Sequence, residues 1–98
     1  MQGAAVTAPL FSLGRVVATP AALTLLEGAG ENPSELLDRH QHGDWGVVPL
    51  TDAKENDYSV KNGLRILSSY AVGCAGERIW IITEADRSST CILLPGEY

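Results

Sequence analysis

Apolar residues crowd together over residues 10–18 (LFSLGRVVA), with β-branched Val16 and Val17 among them. That pattern predicts a first strand, and Gly14 in its middle predicts a bulge or a close backbone approach. The spacing then turns helical. Thr19-Pro20 supplies a cap followed by proline at the first helical position, Leu23, Leu25 and Leu26 carry the helix, and Gly28 or Gly30 ends it. Asn32, Pro33 and Glu35 repeat the start signal for a second helix, whose stripe is Leu36 and Leu37 and which reaches His40. Gly43 and Gly46 break it. A third helix is predicted from Thr51, closed by Asn62-Gly63. Its inward stripe reads Ala53, Asn56, Val60 by three-and-four spacing. A buried amide is costly unless its hydrogen bonds are made, so Asn56 is expected to hold a defined polar partner.

Beyond Gly63 the period drops to two. Residues 64–72 predict a second strand, in which Ser68 and Tyr70 share one face and Arg65, Leu67 and Ser69 the other. Gly73-Cys74-Ala75-Gly76 turns the chain into a third strand over residues 78–84. This strand is apolar on both faces, Ile79 and Ile81 on one and Trp80 and Ile82 on the other. A fourth strand, residues 89–94, is ended by Pro95. The last two strands read as a β-hairpin with Glu84, Asp86 and Arg87 held at its tip. Tyr70 and Trp80 read as core or interface aromatics.

The order is thus β-α-α-α-β-β-β, an α+β two-layer domain with an antiparallel sheet of about four strands and the helices on one face. Residues 1–8 are expected to form a flexible tail and residues 9–98 a single domain. A strand greasy on both sides requires cover on both sides. The helices supply one cover, and 98 residues leave little chain for a second. Hydrophobic residues make up 45% of the chain against 19% charged. The expectation is therefore a homo-oligomer, dimer or higher.

A net charge of −5 argues against a nucleic-acid partner held by phosphate neutralisation. No run approaches the ~18 apolar residues of a membrane span, and the N-terminus lacks a basic signal region, so a cytoplasmic protein with no membrane contact is expected. Cys74 and Cys91 form no CxxC or zinc spacing. They read as free thiols, with a disulfide between neighbouring strands left open. No metal or cofactor is expected. No nucleophile elbow, phosphate-cradling glycine loop or dinucleotide fingerprint is present.

Two clusters could carry chemistry. In His40-Gln41-His42-Gly43-Asp44-Trp45-Gly46, His42 and Asp44 lie two apart on a glycine-flanked loop. They could act as a general base oriented by a carboxylate or as half of a metal site. They could equally be a capped helix end, with Asp44 in a turn and Trp45 as packing anchor. At the hairpin tip Glu84 could serve as a base while Arg65 or Arg87 holds an anion. The plainer reading is a solvated turn with a local ion pair.

The segments LFSLGRVVATP, HxHGDWG, NGLRILSSY and WIITEADRSSTCILLPGEY, which span residues 10–98, resemble a family of small bacterial proteins of unknown function. That family is carried on mobile elements such as plasmids, integrative elements and integron cassettes. Cys91 and Gly96 depart from the Thr and Ser expected in its pattern. The resemblance implies a cytoplasmic accessory protein and brings no substrate with it.

Two functions follow as expectations. The first is a homo-oligomeric binding or adaptor protein for a protein or small ligand, with Asp44, Trp45, Asn56, Arg65, Asp86 and Arg87 as candidate binding residues. The second is a small nuclease or hydrolase with His42 and Glu84 as candidate catalytic residues and Arg65 and Arg87 on the phosphate, a fold-level analogy. A third possibility joins His42, Asp44 and Asn56 in one polar network that pins the loop to the third helix, with Trp45 as its anchor.

Overall fold

The computed structural model describes residues 8–98. The expected tail therefore lies outside the described residues except for Ala8. Strand β1 is Arg15–Ala18, followed by α1 (Pro20–Ala29), α2 (Pro33–Gln41), α3 (Leu50–Asn62), β2 (Ile66–Val72), β3 (Glu77–Thr83), β4 (Ser89–Leu93) and a 3-10 turn, Pro95–Glu97. The caps act as their residue types dictate. Thr19 Oγ1 accepts from Ala22 N, Asn32 Oδ1 accepts from Ser34 N, and Gly30 and Gly63 take the left-handed conformation that ends α1 and α3.

The sheet runs β1-β4-β3-β2. The β2–β3–β4 part is the expected antiparallel meander. β1, however, pairs parallel to β4, with Val16 beside Thr90 and Val17 beside Cys91. The expected all-antiparallel sheet is corrected to a mixed one, for a topological reason. After β1 the chain enters the helix layer and re-enters the same sheet at β2, a crossover connection that leaves the two strands pointing the same way. β1 is also shorter than expected. Gly14 sits just before it with φ 63°, and a Cβ there would lie 2.4 Å from the Arg87 carbonyl oxygen, so the predicted close approach is real.

One face of the sheet takes the helices. Ala22 and Leu26 of α1 and Leu36 of α2 pack on Tyr70, Val72, Ile79, Ile81 and Ile92. A smaller cluster of Phe11, Trp45 and Ile66 seats Ala53 and Val60 of α3. The opposite face carries Leu67, Ser69, Trp80, Ile82, Cys91, Leu93 and Val17, by register. It is not left bare as the sequence suggested. Ile82 and Leu93 are buried within the single chain. The C-terminus folds back so that Tyr98 packs edge-on against Trp80, at 5.8 Å between ring centroids. Glu97 holds that return by accepting from Leu94 N and Thr19 Oγ1. No helix among the described residues is long and apolar enough to cross a membrane.

Candidate functional site

The polar groups of the 40–46 loop and of the hairpin tip go to separate partners. Asp44 accepts from Arg39 Nε at 2.7 Å and Nη2 at 3.3 Å, and from Gly46 N at 3.2 Å. The Arg39 bond comes first among the causes that hold its carboxyl below the usual range, and the same bond raises the guanidinium. His42, at the C-cap of α2, donates from Nδ1 to the Asp38 carbonyl at 2.7 Å, with the Asp38 carboxylate 3.5 Å away. Asn56 bonds elsewhere, so the three residues do not share the expected network. Trp45 does anchor the loop. It is buried, and its Nε1 donates to Asp57 Oδ1 of α3 at 3.1 Å.

Asn56 has the defined partner its stripe demanded. Its Nδ2 donates to the Leu67 carbonyl at 2.7 Å and its Oδ1 accepts from Leu67 N at 3.1 Å. Leu67 belongs to edge strand β2, whose outward backbone groups would otherwise be open. The next outward residue, Ser69, is closed by the loop: its N–H donates to the Trp45 carbonyl at 3.0 Å and its carbonyl accepts from Val47 N at 2.7 Å. One amide and three loop residues thus seal the edge. Asn56→Leu is expected to cost about 2–4 kcal/mol, since it strands a donor and an acceptor together. Urea unfolding would check this, and a loss under about 0.5 kcal/mol would refute it.

At the hairpin tip Arg87 takes φ 60°, a left-handed conformation unusual for a side-chain-bearing residue. The turn aims its guanidinium inward. It donates to the carbonyls of Leu64 (2.7 Å), Ser59 (2.8 Å), Glu84 (3.0 Å) and Ala85 (3.0 Å), and lies 5.5 Å from the Phe11 ring centroid. Arg87 therefore ties hairpin, α3 and β2 together. Glu84 faces Arg65 Nε at 3.8 Å, and Arg65 also donates to the Tyr98 hydroxyl. Asp86 accepts from Ser88 N within its own turn, and side-chain and backbone bonds to Ser88 hold its carboxyl low. Both cysteines are free thiols, Cys74 exposed and Cys91 half-buried, and burial pushes the Cys91 thiol up.

The most organised polar group is one that sequence reasoning placed only at a helix end. His40 is fully buried. Its Nδ1 is 2.6 Å from Ser68 Oγ and its Nε2 is 2.9 Å from Thr83 Oγ1. Thr83 Oγ1 lies 2.7 Å from Thr90 Oγ1, which donates to the Leu13 carbonyl at 2.7 Å. The carbonyl can only accept, and this fixes each proton as far as the His40 Nε2. Thr90 gives its proton to Leu13, so Thr83 donates to Thr90. Thr83 must then accept from Nε2–H of His40, and in the neutral ring Nδ1 accepts from the Ser68 hydroxyl. The imidazole is neutral, its pKa pushed down to about 3 by burial first and then by the Arg87 charge. Phe11 and Trp45 stand edge-on to the ring at 5.2 and 5.9 Å. A serine donating to a histidine has the form of a nucleophile and its base. Here both residues are wholly enclosed, so no substrate reaches the hydroxyl and the relay serves the fold.

Two signals in the sequence pointed to this relay. His40 lies four residues after buried Leu36 on the same helix face. Ser68 and Thr83 alternate in phase with Tyr70 and Ile81 on the inner face of the sheet. Among the described residues no group of three His, Cys, Asp or Glu side chains is arranged to hold a metal ion. Compared with protein-family models, curated proteins and solved structures, the chain matches none.

Proposed function

We propose that the chain is a non-catalytic binding protein that works as a homo-oligomer, an accessory of the mobile-element kind it resembles in sequence. The observation that carries this reading is the exposed apolar pair on edge strand β1. Val16 is 43% exposed and Val17 40%, at the end of the sheet away from β2. Such side chains gain from burial against a second copy. The engagement of Arg87 with four carbonyls speaks against phosphate chemistry at the hairpin tip.

Light scattering coupled to size exclusion tests it. The wild type should run at a multiple of 10.4 kDa at micromolar concentration. Val17→Glu, which places a charge on the rim of edge strand β1, should shift it toward the monomer with the circular dichroism unchanged. A wild-type monomer would remove the oligomer.

A further inference from the structure

Ser69 stands cross-strand from Trp80 on the helix-free face. It is only 4% exposed, and its hydroxyl has no hydrogen-bond partner among the described residues. Its backbone is fully bonded to the loop, so the side chain alone is orphaned. A buried hydroxyl left unpaired is costly, and native chains rarely keep one without an occupant for the space beside it. Ser69 lines a depression of about 140 Å³. That is room for four to five waters at ~30 Å³ each, or for one small molecule.

The walls are of two kinds. Leu67 and Trp80 of the sheet, with Val48 of the loop, are apolar. Asp52, in the first turn of α3, and Arg78, in β3, bring one charge of each sign. Neither makes an ion pair among the described residues. A bare anion drawn to Arg78 would meet Asp52, and a bare cation drawn to Asp52 would meet Arg78. A molecule carrying both charges satisfies the two together.

We infer that this depression is a site for a small zwitterion, a free α-amino acid with a short apolar side chain. Its carboxylate meets Arg78, its ammonium meets Asp52, the Ser69 hydroxyl takes one hydrogen bond, and the side chain lies on Trp80 and Leu67. The site rests on the reading of the chain as a binding protein, and it selects a small ligand over a protein one.

The test is a titration of the ¹⁵N-labelled full chain with L-valine, followed at the two tryptophan indole N–H signals. The Trp80 signal should move. The Trp45 signal, from an indole buried and bonded to Asp57, should stay. Isovalerate, which lacks the ammonium, and isobutylamine, which lacks the carboxylate, should each bind about tenfold more weakly or worse. Ser69→Ala and Arg78→Gln should each weaken L-valine binding by about tenfold with the remaining spectrum intact.

Three results would overturn the site: no Trp80 shift up to about 10 mM L-valine, isovalerate binding as tightly as valine, or unchanged affinity in Ser69→Ala. Light scattering on the same samples keeps the two readings apart. An oligomer with no Trp80 shift fails the amino-acid site alone, whereas a monomer with no shift fails both.

Discussion

Replacing His40 with alanine is expected to lower the unfolding free energy by about 3–5 kcal/mol, a large share of what a domain this size holds. The substitution opens a cavity among Phe11, Trp45 and the sheet. It also strips Ser68 of its acceptor and Thr83 of its donor, both in a place water does not reach. The relay joins α2, three strands' worth of hydroxyls and backbone, and the segment before β1 through the Leu13 carbonyl, so its loss is felt across both layers.

The same residue sets a pH dependence with a definite sign. The folded-state pKa of His40 is depressed to about 3, below its ordinary 6.5. The unfolded chain therefore binds the proton more readily, and stability falls as the solution is acidified. The contribution is complete above about pH 6.5 and drains away as pH drops from there toward about 3, by up to ~1.4 kcal/mol per unit. Between about pH 7.5 and 4.5 the loss should be about 2–3 kcal/mol. His40→Gln removes the titrating group, so its stability should fall less steeply over that range. Equal slopes for the two proteins in urea melts would show that His40 is not buried neutral as described.

How far the sequence went is clearest where physics is local. Thr19, Asn32, Gly30 and Gly63 announce helix ends because a cap acts within three or four residues. Asn56 was readable because an amide in an apolar stripe must bond to something, although only the fold could say that the partner is the Leu67 backbone. The relay was harder. Ser68 lies 28 residues and Thr83 43 residues from His40, and nothing local couples them. The parallel pairing of β1 depends on how three helices cross the sheet, which no window of sequence encodes. At the hairpin tip the charges were visible but their aim was not. A left-handed Arg87 places its guanidinium on four carbonyls, and those of Ser59 and Leu64 come within its reach only once the fold is made. The self-cover of the second face was missed for a similar reason. Tyr98 has no periodic partner in the strand pattern, and the Pro95–Glu97 turn brings it over Trp80.

Gly46→Ala should be far more damaging than Gly30→Ala, and the comparison within the same chain isolates why. Gly46 has φ 78° and Gly30 has φ 70°, so alanine pays a similar conformational cost at either, about 1 kcal/mol. At Gly30 a Cβ would meet no atom within 4 Å. At Gly46 it would lie 2.0 Å from the Ser69 carbonyl oxygen and 2.7 Å from Tyr70 Cδ1. Backbone cannot yield there without opening the paired bonds between Ser69 and the Trp45 and Val47 backbone. The loop must leave the edge, drawing Trp45 from its cluster and the Asp44 carbonyl from the Tyr70 hydroxyl that donates to it at 2.7 Å. A loss of about 3–6 kcal/mol is expected at Gly46 against about 1 kcal/mol at Gly30. Differential scanning calorimetry of the two variants measures the difference directly. Because the freed strand edge presents open N–H and C=O groups, Gly46→Ala should also aggregate on warming where Gly30→Ala does not. Equal melting temperatures for the two would mean that the loop does not lie against β2, and the seal on that edge would have to come from Asn56 alone.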